Sequence, residues 1–246
     1  MSAPYLSPNG DIVLHHCDAR ELLPTLNPVA CVLTDPPYGT RELSGGYGRR
    51  LNRCKAGKWV GTIANDSDLA LLAECFPTLC SLVPSGWMAV FFSARKTVEF
   101  VDATRGAEWF GKIIWDKAQP GLGYHIRYCH EDIAVFRMGE PERPKEPIMS
   151  ILRGGTIADV HPHEKPVDIL ARLVRWMTKP GETVLDPFSG SGTTAAACVR
   201  TGRRFVGCEL DETFFNLAVE RIQRELDRPM MTGMLDDAVM QADMVL

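Results

Sequence analysis

The fold is decided by one stretch, Val184-Leu185-Asp186-Pro187-Phe188-Ser189-Gly190-Ser191-Gly192-Thr193-Thr194, in which an apolar run ends in a glycine-rich turn. The apolar run predicts a short buried strand over 183–185, and a helix is predicted to follow the turn over 194–200. A second strand is predicted over 204–208, and it ends at Glu209. A strand, a helix and a strand in this order typically form a parallel pair with a crossover helix, the unit of an α/β fold.

The same unit carries features of a ligand site. Gly190 and Gly192 let a ligand approach the backbone closely, and the N-terminus of the following helix offers N–H groups. Glu209, which lies 17 residues after Gly192, is placed to accept hydrogen bonds from ribose hydroxyls. We therefore expect a nucleoside cofactor at this turn.

Several alternatives for this turn can be weighed from the residues. A nucleotide-binding P-loop requires a lysine after its last glycine, and here Thr193 follows Gly192, which argues against it. Ala195 stands where a dinucleotide fingerprint has its third glycine, so an NAD enzyme is only weakly indicated. A tight turn without any ligand also stays open.

Strands and helices alternate through the rest of the chain. Further strands are predicted over 11–15, 29–33, 87–92, 111–115 and 133–136. Helices are predicted over 19–26, 67–82, 97–105, 167–177 and 212–226, with Ser67 as the N-cap of the second. This alternation predicts a single α/β domain over 1–246, with a doubly wound, mostly parallel sheet and helices on both faces.

Composition narrows the class of protein. The 246 residues are 45% hydrophobic and 24% charged, which is typical of a soluble globular domain. The net charge of −4 argues against general binding to polyanions, so a nucleic-acid surface would have to be a local patch. The eight cysteines form no C-x-x-C pair, which predicts a reduced, cytoplasmic protein. We recognise no signal peptide and no apolar run long enough to span a bilayer.

A second informative stretch is Cys31-Val32-Leu33-Thr34-Asp35-Pro36-Pro37-Tyr38-Gly39. Proline fixes its own φ and keeps the preceding residue extended, so Pro36 and Pro37 stiffen the chain at the end of the predicted strand. The Asp35 carboxylate and the neighbouring carbonyls then form a rigid set of acceptors beside the flat ring of Tyr38. This arrangement suits a planar ring with an amino group, although a plain turn with a packed Tyr38 is the alternative.

Two segments differ in composition from the predicted sheet. Residues 40–65 are rich in glycine and nearly free of acidic residues, which indicates contact with phosphates or, alternatively, a solvated mobile loop. The candidate DNA-binding residues in this segment are Arg41, Arg49, Arg50, Arg53, Lys55 and Lys58. Residues 138–160 show no periodicity and are predicted to be an insertion between sheet elements.

Taken together, several motifs resemble those of the amino-methyltransferases of DNA, specifically the permuted class in which Asp-Pro-Pro-Tyr precedes the cofactor half. The motifs are Asp35-Pro36-Pro37-Tyr38, His130-Glu131, His163-Glu164-Lys165-Pro166, the stretch from Val184 to Thr194 and the stretch from Gly202 to Glu209. They occur in the order of that class and cover most of the chain. The resemblance implies a Rossmann-like methyltransferase fold, S-adenosylmethionine as cofactor and double-stranded DNA as partner.

The resemblance also implies roles for individual residues. The implied cofactor-binding residues are Asp18, Asp35, Lys165, Asp186, Phe188, Ser189, Gly190, Ser191, Gly192, Thr193, Glu209 and Leu210. Among them Asp18 would lie beside the adenine, Glu209 would bind the ribose hydroxyls and Lys165 would lie near the cofactor carboxylate. Asp18 could instead be a helix N-cap, and Lys165 could be a solvated residue at a helix start. No metal is expected at His130, His161 or His163.

The implied catalytic residues are Asp35, Pro36, Pro37 and Tyr38. The Asp35 side chain and the Pro36 carbonyl would accept both N–H bonds of an exocyclic amine, and Tyr38 would stack on a base flipped out of the duplex. Because the family more often has Asp before Pro-Pro-Tyr for adenine, we expect adenine N6 rather than cytosine N4. The basic loop and the 138–160 insertion would read the target, and their small size favours a homodimer or larger assembly. A catalytically silent DNA-binding protein of the same fold and an RNA or protein methyltransferase are the alternatives.

Overall fold

A sheet of nine strands forms the middle layer of the computed structural model, which describes residues 3–37, 69–119, 125–155 and 165–228. The strands are β1 (Tyr5–Leu6), β2 (Ile12–His16), β3 (Cys31–Thr34), β4 (Gly86–Phe92), β5 (Glu108–Asp116), β6 (His130–Met138), β7 (Ile151–Arg153), β8 (Thr183–Asp186) and β9 (Arg204–Glu209). The helices are α1 (Ala19–Leu22), α2 (Ala70–Leu82), α3 (Thr97–Ala103), α4 (Val167–Met177), α5 (Thr193–Thr201) and α6 (Glu212–Leu226).

The strand order across the sheet is β1-β2-β9-β8-β3-β4-β6-β5-β7. The central strands β2, β9, β8, β3 and β4 are parallel, whereas β1 and β6 are antiparallel to their neighbours. The expected α/β fold with a mostly parallel sheet is therefore confirmed. The strand that follows β3 in the chain, β4, lies on one side of the β8–β3 pair, and the strand that follows β8, β9, lies on the other side. At such a topological switch point a crevice opens at the carboxyl ends of the strands.

Helices cover both faces of the sheet and produce two hydrophobic cores. The first core joins the sheet to α4, α5 and α6, and the second joins it to α1, α2 and α3. The strand β4 contributes side chains to both cores: Trp87, Ala89 and Phe91 enter the first core, while Met88 and Val90 enter the second. A strand that is buried on both faces needs apolar residues at every position.

The structure corrects several predicted boundaries. The helix predicted over 19–26 ends at Leu22 and continues as a 3-10 turn over Leu23–Thr25, because Pro24 has no N–H for a further α-helical hydrogen bond. β5 and β6 extend well beyond their apolar runs, since their antiparallel pairing accommodates polar residues at the strand ends. The predicted N-cap Ser67 lies outside the described residues.

The 138–160 segment contains one element that its sequence did not predict. The strand β7 pairs in parallel with the end of β5 and is the outermost strand on that side of the sheet. Only its middle residue, Leu152, is buried, so three residues carry too little pattern to reveal a strand. Among the helices of the four described ranges, none has the length and apolar character that crossing a bilayer requires.

The turn before α5 is packed tightly against α6 at Gly192. This residue has a φ of +78°, in the left-handed region, and a Cβ on it would lie 2.8 Å from the Ala218 Cβ. Gly181 has nearly the same φ, +79°, but no heavy atom lies within 4 Å of the position of its Cβ. The two glycines therefore have nearly the same positive φ and differ in the space around them.

Replacing Gly192 with alanine is expected to lower the free energy of unfolding by about 2–4 kcal/mol, because backbone strain and a steric clash add together. Gly181→Ala is the matched control and should cost only about 1 kcal/mol, which is the strain alone. Urea unfolding of both variants measures the difference. Equal losses would mean that contact with α6 does not constrain the turn.

Candidate active site

The carboxyl ends of β2, β9, β8, β3 and β4 meet at one edge of the sheet, and most of the predicted site residues lie there. Asp18 follows β2, Glu209 ends β9, Asp186 ends β8 and Asp35 follows β3. Because β6 is antiparallel to β4, its first residues also reach this edge, where Asp132 is paired with Phe92. Topology thus collects carboxylates from strands that are far apart in the chain.

Asp186 connects the glycine turn to the strand before Asp35. Its Oδ1 accepts a hydrogen bond from the Thr34 hydroxyl at 2.7 Å, and its Oδ2 accepts one from the Thr194 hydroxyl at 2.6 Å. The backbone N–H of Phe188 also donates to Oδ1, at 3.1 Å. Since Thr34 directly precedes Asp35, this buried carboxylate holds the two motifs together at the edge. Burial raises its pKa to about 6, against the hydrogen bonds, which lower it.

Glu209 closes the glycine turn from the neighbouring strand. Its Oε2 accepts a hydrogen bond from the Gly190 N–H at 2.8 Å, and its Oε1 accepts one from the Asp211 N–H at 2.9 Å. Burial raises the pKa of Glu209 to about 7. Gly190 has a φ of +51° and open space where a Cβ would be, so the turn leaves room beside this carboxylate.

Asp18 lies at the end of the next strand, β2, and caps α1. Its Oδ1 accepts from the Arg20 N–H at 2.9 Å, and the Arg20 guanidinium pairs with Oδ2 at 2.7 Å. These hydrogen bonds lower the pKa of Asp18. The backbone N–H of Cys17 donates to the carbonyl of Glu209 at 3.2 Å, so Asp18 and Glu209 lie on adjoining segments. The N-cap role of Asp18 is confirmed.

Lys165 is buried beside Asp35, at the approach to α4. Its ammonium nitrogen lies 2.6 Å from the Asp35 Oδ2 and 2.8 Å from the Glu131 Oε2. The alternative of a solvated residue at a helix start is therefore wrong. Glu131 also pairs with the Lys117 ammonium through Oε1. Burial alone would raise the pKa of Glu131, but Lys165 and Lys117 outweigh it and bring that pKa to about 2.

Sequence reasoning assigned no role to Glu131 or Lys117. The signal for Glu131 was a carboxylate at the start of an otherwise apolar strand, within the His130-Glu131 motif. Lys117 had no comparable signal, because it reaches Glu131 only through the antiparallel pairing of β5 with β6.

The remaining predicted residues fall into two groups. Pro36 is buried and Pro37 half-buried at the end of β3, while Phe188, Ser189, Ser191, Thr193 and Leu210 lie in or beside the glycine turn and the end of β9. Outside the described residues lie Tyr38, Arg41, Arg49, Arg50, Arg53, Lys55, Lys58, His161 and His163. The roles expected for the residues of both groups stay predictions.

Comparison with known proteins identifies relatives of similar length. A family model described as DNA methylase, N6_N4_Mtase, matches residues 142–220. YubD of Escherichia coli (strain K12), which is named as a methylase, is 29% identical over 216 residues, covering 86% of this chain and 88% of YubD. The Type II methyltransferase M2.DpnII of Streptococcus pneumoniae is 25% identical over 260 residues, covering 92% of this chain and 94% of its own.

A solved structure shares both the fold and part of the sequence. TTHA0409 of Thermus thermophilus, named as a DNA modification methylase and solved in complex with S-adenosyl-L-methionine, has a TM-score of 0.62 and 27% sequence identity. The match covers 87% of this chain and 94% of TTHA0409. The similarity thus extends over nearly the whole length of both proteins.

The buried Asp186 gives the protein a pH-dependent stability that Asp186→Asn should remove. The folded protein keeps a proton on Asp186 up to about pH 6, whereas the ordinary pKa is 3.8. Between those values the unfolded state has lost this proton, so raising the pH disfavours the folded state. From pH 4 to pH 6 the wild type should lose about 2 kcal/mol of unfolding free energy relative to Asp186→Asn. Urea unfolding across this range tests it, and parallel curves would contradict the assignment.

Proposed function

We propose that this chain is an amino-methyltransferase of DNA of the N6/N4 kind and that it transfers a methyl group from S-adenosylmethionine to the N6 amine of adenine in duplex DNA. The observation that carries this proposal is the buried hydrogen bond between Thr34 and Asp186. It holds the carboxylate of Asp35 beside the glycine turn, so an amine acceptor and a cofactor site share one edge of the sheet. DNA methyltransferases require these two sites to be adjacent, since the methyl group moves directly between them.

The edge of the sheet fits the proposed cofactor. Glu209 is a poorly solvated carboxylate beside open space at Gly190, and such a group favours ligand hydroxyls that can donate to it. Glu209 would hold the ribose, Asp18 would lie at the adenine, and the turn from Asp186 to Thr193 would surround the methionine part. When bound, S-adenosylmethionine supplies an electrophilic methyl group on a positively charged sulfur.

Asp35 and Pro36 would activate the amine. The nitrogen of an aromatic amine is a weak nucleophile, because its lone pair is delocalised into the ring. Acceptors that bind both N–H groups draw the nitrogen towards tetrahedral geometry and localise that lone pair. We assign this role to the Asp35 carboxylate and the Pro36 carbonyl, with Pro37 stiffening the backbone and Tyr38 stacking on the flipped base.

The choice of adenine N6 over cytosine N4 rests on the Asp before Pro-Pro-Tyr, which the family uses more often for adenine. The family model that matches residues 142–220 is named for both amines, N6 and N4. We assign DNA contact to Arg41, Arg49, Arg50, Arg53, Lys55 and Lys58 in the basic loop, and target reading to that loop and residues 138–160. Since both regions are small, we propose that a homodimer supplies the full recognition surface.

The Asp35→Ala variant should bind cofactor and fail to turn over. Loss of one preorganised acceptor typically costs 10²–10³-fold in kcat, so we expect a decrease of about 100-fold or more. The affinity for S-adenosylmethionine, measured by calorimetry, should stay within about threefold, because Asp35 acts on the amine. Asp35→Asn is the matched variant, since it keeps the shape and removes the charge. Methylation by Asp35→Ala at the wild-type rate would refute the role.

The modified base identifies the reaction. Incubation with labelled S-adenosylmethionine and separate DNA, RNA and protein acceptors should place the label on DNA alone. Digestion of that DNA to nucleosides, followed by mass spectrometry, should then give N6-methyladenine. N4-methylcytosine would establish the alternative amine, and label on RNA or protein would overturn the DNA substrate. The absence of transfer to any acceptor would favour a silent binding protein.

A further inference from the structure

Four side chains of alternating charge form a continuous chain at the edge of the sheet. In order they are Lys117, Glu131, Lys165 and Asp35, and we call them the charge chain. They come from four separate segments: the end of β5, the start of β6, the approach to α4 and the end of β3. Asp35, the last member, is the proposed acceptor for the target amine, and the other three are linked to it in series.

The middle of this chain is shielded from water. The side chain of Lys165 is 5% exposed, and its ammonium lies 5.2 Å from the centre of the Phe91 ring and 5.8 Å from that of Trp115. Trp115 is held in turn by a hydrogen bond from its indole N–H to the Gly154 carbonyl, at 2.8 Å. Charges in such surroundings are weakly screened, so each contact constrains the next.

A lysine ammonium is a compact charge on a flexible stem and does not orient itself. Lys165 has one carboxylate on each side, Asp35 at 2.6 Å and Glu131 at 2.8 Å, and this pair defines its position. Glu131 is itself buried and held from the far side by Lys117. Removing one member of a buried charge pair leaves its partner uncompensated and free to shift.

We propose that Glu131 and Lys117 are positioning residues for methyl transfer, which act through Lys165 to fix the Asp35 carboxylate against the target amine. The proposal rests on the proposed function, since it needs Asp35 to accept from that amine. As the amine attacks, its lone pair forms the N–C bond while the electrons of the C–S bond remain on sulfur, and the nitrogen then loses a proton to water. The Lys165 ammonium, 2.6 Å from the Asp35 Oδ2, holds this carboxylate in place during the transfer.

In the charge chain Lys165 holds Asp35, whereas the family resemblance implies that Lys165 lies near the cofactor carboxylate. Within the charge chain its ammonium already contacts two carboxylates, Asp35 and Glu131. If Lys165 serves Asp35, disturbing Glu131 changes the chemical step. If it serves the cofactor, the same disturbance weakens cofactor binding.

The experiment is a double-mutant cycle on the full-length protein with Glu131→Gln, Lys117→Met and the pair combined. Glu108→Gln is the control, because Glu108 forms an ion pair with Arg137 between the same two strands, at 2.9 Å and at their opposite end. For each protein we would measure kcat and KM with DNA, the affinity and stoichiometry for S-adenosylmethionine by calorimetry, and the melting temperature. Binding stoichiometry corrects kcat for any unfolded fraction.

Glu131→Gln should lower the corrected kcat about tenfold or more, since small displacements of a reacting group cost up to 10²-fold. Cofactor affinity should stay within about twofold. Lys117→Met should lower kcat about threefold alone and have no further effect in the Glu131→Gln background, because it acts only through Glu131. Glu108→Gln should behave as the wild type.

Three results would overturn the inference: an unchanged corrected kcat, a loss confined to cofactor affinity, or additive effects of the two substitutions. A wild-type protein that transfers no methyl group to DNA would overturn the proposed function itself. That result is visible before any variant is made, so the two failures are distinguishable.

Discussion

The structure depends on one buried carboxylate, that of Asp186, which ties β8 to β3 and to the start of α5. Its hydrogen bonds from Thr34 and Thr194 are 2.7 and 2.6 Å long. The pairing of β3 with β8 already makes the two strands neighbours, and this connection fixes the residue before Asp35 against the start of the glycine turn and α5. An ionisable group in this position carries a desolvation cost, and its raised pKa reflects that cost. The cost is offset because three donors hold the turn in a single geometry.

Electrostatics at the edge of the sheet follow a common pattern. Three of the carboxylates are held by groups from another segment: Asp186 by Thr34, Glu209 by the Gly190 N–H, and Asp35 by Lys165. The carboxylates at this edge nevertheless have different pKa values because their environments differ. The pKa is about 6 for Asp186 and about 7 for Glu209, but about 2 for Glu131. Burial dominates at the first two, and two neighbouring ammonium groups dominate at the third. Chemically similar side chains at this edge therefore ionise over different pH ranges.

Much of the fold followed from local pattern. The amphipathic helix over 167–177 and the helix over 212–226 have the predicted bounds, because a long apolar stripe with clear end signals needs no tertiary information. β7 and the ends of β5 and β6 were not predicted, since strands that are short or half-exposed are defined by their partners. For Asp18, sequence reasoning left two roles open, and the structure confirms the helix cap.

The sequence by itself determined the fold class, the glycine turn, the stiffened carboxylate of Asp35 and the acid at the end of β9. Each of these depends on residues that are neighbours in the chain, where periodicity, proline and glycine act directly. Only the tertiary structure decided that Asp186 faces Thr34, that Lys165 is buried between Asp35 and Glu131, and that Lys117 completes the charge chain. These contacts join residues brought together by strand order, and strand order arises from packing of the whole sheet rather than from any local segment.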